Sequence, residues 1–197
     1  TSFKQEHGAY PNDQTADKLG GGKKGKKEND YDFGELTGDY SNHYFRQLFY
    51  GDLKDEKIFS AKMPGFVEGD NSIAKGKCLQ PGECAFAYVT KKSSNGKYDK
   101  ISVTETTAPL LFCCVAPQDK PYIGEEVLFD MNAFRRHAFM LSASGSIVDL
   151  KDKNKGGGFV DDSEDTTKAA KNLFPENART GESTGNKYYV LPPELVD

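Results

Sequence analysis

The dipeptide Asn95-Gly96 constrains this chain more than any other feature, because it supplies the positive-φ positions that a tight hairpin turn needs. It sits in Ser93-Ser94-Asn95-Gly96-Lys97, between Ala85-Phe86-Ala87-Tyr88-Val89-Thr90 and Ile101-Ser102-Val103-Thr104, which read as the two strands of that hairpin. The most apolar run in the protein, Leu110-Leu111-Phe112-Cys113-Cys114-Val115, follows directly. Residues 84–115 are therefore the stretch around which the rest is expected to organise.

Glu125-Glu126-Val127-Leu128-Phe129-Asp130 reads as a further strand, and residues 136–142 pair with 146–150 across Ala143-Ser144-Gly145 as a second hairpin. Short strands joined by short turns predict a mainly β fold, a small antiparallel sheet or barrel-like domain with long extended N- and C-terminal arms. The expected core is Phe86, Tyr88, Ile101, Val103, Leu111, Val127, Phe129, Phe139, Leu141 and Val148. The chain divides accordingly into a Gly/Lys-rich arm (1–30), an aromatic-rich docking segment (31–77), a β-rich core (78–150) and a polar tail with a short helix over 165–174 (151–197).

The arms are argued from what they lack. Residues 1–30 hold little to bury, and Gly20-Gly21-Gly22-Lys23-Lys24-Gly25-Lys26-Lys27 combines high backbone entropy with like-charge repulsion, so this arm is expected to be disordered unless something holds it. Tyr31, Phe33, Tyr40, Tyr44, Phe45, Phe49 and Tyr50 keep no strict period among turn formers, which is the composition of a segment that docks by aromatic anchors. The competing expectation is a satellite cluster packed on the hairpin domain. Tyr188 and Tyr189 open an apolar end, Val190-Leu191-Pro192-Pro193, that reads as a sticky tail.

Several function classes fall away on chemistry. A net charge of −4 opposes phosphate-backbone binding, which relies on Lys and Arg displacing counterions. No window approaches the roughly 18 consecutive apolar residues of a membrane-spanning helix. His7, His43 and His137 stand in no metal-binding frame, no Gly-x-Ser-x-Gly elbow occurs, and the acidic run Asp161, Asp162, Glu164 and Asp165 lacks the ligand order of a calcium loop. Cys78, Cys84, Cys113 and Cys114 match no zinc framework. Adjacent thiols on a strand should point to opposite faces, one into the core and one out.

What remains is a non-catalytic accessory or linker subunit of a large multiprotein assembly, held to other protein subunits through its arms and the tyrosines and phenylalanines at 31–50 and 188–189, with neither nucleic acid nor a transmembrane segment involved. A different class is a small β-domain that binds a ligand, or a small enzyme, with its site near Arg135, Arg136 and His137. A narrower version of the first is a plastid light-harvesting linker of the phycobilisome type, in which Cys78, Cys84 or Cys114 carries a covalently bound bilin. The start at Thr1 fits removal of a targeting peptide. No motif of those linker domains is present, and the leading expectation includes no cofactor.

Overall fold

The computed structural model describes residues 3–19, 32–73, 76–102, 104–130, 137–151, 173–175 and 184–196. The Gly/Lys run, Tyr31, Val103, Arg135, Arg136, the acidic run and most of the expected helix at 165–174 lie outside them. Seven antiparallel strands form one open sheet: β1 (Phe86–Lys92), β2 (Tyr98–Asp99), β3 (Pro109–Cys113), β4 (Tyr122–Ile123), β5 (His137–Ser142), β6 (Ile147–Lys151) and β7 (Tyr188–Leu191). Their order is β4-β7-β1-β3-β5-β6, with β2 paired to the end of β1. The sheet is not closed into a barrel.

Both expected hairpins form, with altered limits. Gly96 turns at φ 82° and Ser93 N–H donates to Lys97 O at 2.9 Å, but the returning strand is the short β2. Residues 101–102 lie outside any strand, where Glu105 takes over the backbone: its carboxylate accepts Ser102 N–H at 3.0 Å. The second hairpin pairs His137 with Lys151 through Leu141 with Ile147, around Gly145 at φ 89°. The expected strand at 125–130 is instead a single helical turn, Gly124–Glu126, followed by an isolated bridge between Val115 and Phe129.

The register separates two faces. Phe86, Tyr88, Leu111, Cys113, Phe139, Leu141, Ile147 and Leu191 share one, since paired residues point the same way and alternate residues repeat it. Ala87, Val89, Phe112, Ala138, Met140, Leu150, Tyr188 and Val190 share the other. The second face is covered by Phe129 and Phe174, whose rings meet Phe112 edge-on at 5.5 and 6.3 Å. The first is covered over β1 by α3 (Ser41–Arg46), whose Tyr44 and Phe45 rings lie 5.8 and 5.4 Å from Tyr88. Strand β1 is thus buried on both sides over Ala87–Thr90, which is why its first four residues, Phe86-Ala87-Tyr88-Val89, are a continuous apolar run.

The ends are woven into this core. β7 lies between β4 and β1, so the sticky tail of the sequence is an inner strand. The amino-terminal helices α1 (Phe3–His7) and α2 (Asp13–Leu19) belong to the same body. Asn12 caps α2, its Oδ1 accepting Gln14 and Thr15 N–H at 2.8 and 3.1 Å. Tyr88 Oη donates to Pro11 O, Tyr44 Oη to Asp13 Oδ1, and Gln47 Nε2 to Asn12 O. These hydrogen bonds, with the buried Ala16, tie residues 11–19 to the sheet.

Candidate docking face and buried polar hub

Helix α3 supplies the polar interior. Its short run Ser41-Asn42-His43-Tyr44-Phe45-Arg46 is buried on every side. Arg46 donates Nε to Cys78 O at 2.7 Å, Nη2 to Leu79 O at 2.9 Å and Nη1 to Glu35 O at 3.3 Å, with the Glu194 carboxylate 3.9 Å away. Asn42 Nδ2 reaches Leu79 O and its Oδ1 accepts Glu194 N–H, while Ser41 N–H donates to Pro192 O. One helix thereby fastens the 33–36 segment, the 78–80 loop and the carboxyl end to the sheet. His43 carries the electrostatic cost: burial, and next the Arg46 charge, lower its pKa to about 4. Its Nδ1 finds no partner and lies where a Cβ on Gly38 would fall, 2.1 Å away.

The sequence-derived docking residues divide by burial. Phe33, Tyr44, Phe45, Phe49 and Tyr188 are side chains of one hydrophobic core, so their aromatic area is used within the chain. Phe33 meets Phe49 and Tyr50, and Phe45 stacks on Phe59 at 5.1 Å. Tyr50 is exposed at its rim, Tyr189 is half-buried against Tyr98, and Tyr40 is half-buried with its Oη donating to Asp119 O. Tyr31 lies outside the described residues.

All four thiols are buried. Burial pushes Cys78 up and raises Cys84 to about 12, which keeps both protonated. Cys113 and Cys114 do not split between inside and outside. β3 ends at Cys113, and Cys114 takes φ 68°, which turns its thiol back to donate to Cys113 Sγ at 3.5 Å. That hydrogen bond lowers the pKa of Cys113 and raises that of Cys114.

His137 Nδ1 lies 2.8 Å from Asp149 Oδ1 at the exposed end of the second hairpin. The arginines expected beside it lie outside the described residues. An open recess of about 430 Å³ lies elsewhere, lined by Tyr40, Pro117, Gln118, Asp119, Leu195 and Val196. Its walls hold one carboxylate and no nucleophile paired with a base.

The surface that sequence reasoning missed is the β5–β6 half of the first sheet face. Expected core residue Phe139 is 37% exposed there, and Ile147 is 76% exposed beside the half-buried Leu141, while Val148, opposite Met140 on the second face, is 38% exposed. The buried residues of β5 are Ala138, Met140 and Ser142. Alternation showed that the strand has two faces; it held no sign of which face a distant segment would cover. Among the described strands, β6 is outermost. Compared with protein-family models, curated proteins and solved structures, the chain matches none.

Proposed function

We propose that this chain is a non-catalytic accessory subunit that stabilises a multiprotein assembly, meeting its neighbour through the β5–β6 hairpin. The observation that supports the reading is Ile147, exposed beside Leu141 on the outermost of the described strands, on a sheet face that α3 covers over β1. Single apolar side chains on a surface are ordinary, but the contiguous patch of Phe139, Leu141 and Ile147 reaching the outermost described strand is a template for another chain. A partner strand would take the outer hydrogen-bonding groups of β6 and lay apolar side chains on Leu141 and Ile147.

The pigment-bearing form gains no support from the thiols, since Cys78, Cys84 and Cys114 are fully buried and a bilin thioether needs a reachable sulfur. The test is native mass spectrometry of the protein isolated gently from its source, with absorbance recorded alongside. A mass far above 21.7 kDa that falls to the monomer in Ile147→Lys supports the reading. A colourless wild-type monomer overturns it in favour of a ligand-binding domain.

A further inference from the structure

Three carboxylates fourteen and thirteen positions apart in sequence meet in one place. Glu56, Asp70 and Glu83 each offer an oxygen, and these oxygens lie within 4.8 Å of one another. Proximity of acids on a surface would mean little. The decisive feature is Glu56, which is 0% exposed and whose Oε1 accepts Leu79 N–H at 2.6 Å, while Oε2 is buried without a hydrogen-bond partner. A buried carboxylate oxygen left unpaired costs several kcal/mol unless a cation faces it or the group is protonated. Here a Glu56 oxygen has carboxylate oxygens of Asp70 and Glu83 within 4.8 Å, and the Cys78 thiol lies beside the same carboxylate.

The surrounding backbone is shaped to this meeting. Gly69 passes so close to Glu56 that a Cβ there would lie 2.6 Å from the Glu56 Cβ. Asn71, at φ 59°, accepts Glu56 N–H on its Oδ1 at 2.8 Å. Glu83, 7% exposed, accepts Gln80 N–H on Oε2 at 2.6 Å and Asp70 N–H on Oε1 at 3.3 Å. Asp70 Oδ1 accepts Ser72 N–H at 2.6 Å, and Asp70 itself is exposed, which leaves one side open to water. Of the described cations, Lys57 pairs with Glu68 at 3.2 Å and Arg46 donates to the carbonyls of Cys78 and Leu79.

We propose that Glu56, Asp70 and Glu83 form a binding site for a hard divalent cation of the calcium class, with Asp70 at its solvent side. Calcium–oxygen distances of about 2.3–2.6 Å allow one ion to bridge oxygens at the observed separation, and calcium tolerates an irregular oxygen set completed by water. The ion ties the 56–59 turn, the 69–72 loop and the 78–84 loop into one unit. The last of these carries Gly82, whose N–H donates to Glu194 O, so the site also fastens the carboxyl-terminal strap.

Thermal melting of the full chain, stripped with chelator and then given calcium chloride to 10 mM, tests this. The wild-type midpoint should rise by about 5 °C at saturation, as ligand linkage to a chain of this size gives. Asp70→Asn, whose side chain is at the surface, should melt normally without calcium and lose most of the rise, and Glu83→Gln should abolish it. An unchanged wild-type midpoint, an equal rise in all three proteins, or a rise with zinc and none with calcium would each overturn the assignment.

Discussion

At the residue scale, Arg46 and His43 show how one turn of helix can hold a fold together and set its pH limits. Arg46 donates to the carbonyls of Cys78, Leu79 and Glu35 from one guanidinium, and among the described hydrogen bonds it is the buried donor to Cys78 O. Arg46→Ala should therefore destabilise by about 3 kcal/mol in urea melts, and Arg46→Lys should recover little, because one ammonium cannot reproduce the fork of guanidinium donors. His43 acts through protons. Its folded pKa of about 4 lies below the ordinary 6.5, so between these values the unfolded chain binds more protons than the folded one. Stability is then complete above pH 6.5, falls as the pH drops towards 4 and levels below it. The full fall attributable to His43 is at most about 3 kcal/mol. Urea titrations of wild type and His43→Gln across that window isolate it; equal slopes would remove His43 as the cause.

At the element scale, β7 is the strand on which the sheet depends. It pairs with β1 through Tyr88–Leu191 to Lys91–Tyr188 and with β4 through Tyr122–Val190 and Ile123–Tyr189. Ending the chain after Lys187 should abolish the cooperative unfolding transition, rather than trim a loose end, with far-ultraviolet circular dichroism as the readout. The close approach at Gly124 gives a second test. A Cβ there would lie 2.4 Å from the Phe174 ring, so Gly124→Ala should destabilise by about 2 kcal/mol in the same melts. The turn chemistry of both hairpins was legible because Gly96 and Gly145 act within a few residues. The role of 188–191 was not, since a short apolar run reads alike as sticky tail or inner strand until its partner, about a hundred residues away, is known.

At the scale of the whole molecule, the sheet is a meeting place for both ends of the chain. Tyr88 on β1 touches Pro11 and Tyr44 and pairs with Leu191, so residues 11–19, 41–46 and 188–191 converge on one strand. Hydrogen exchange on the isolated chain should accordingly protect the amides of α2 at Ala16 and beyond. Full exchange there within seconds would mean that this docking needs another protein. The accessory-subunit reading makes a separate statement at this scale, concerning the outer side of β5–β6.

The sequence by itself determined the mainly β character and the two glycine-turned hairpins, because both follow from backbone preferences and apolar patterning within a dozen residues. Tertiary structure decided which face of β5 is covered, where the carboxyl end pairs, that four thiols lie inside, and that Glu56, Asp70 and Glu83 meet. Those outcomes depend on contacts between residues thirteen to more than a hundred positions apart, and local propensity carries no record of them.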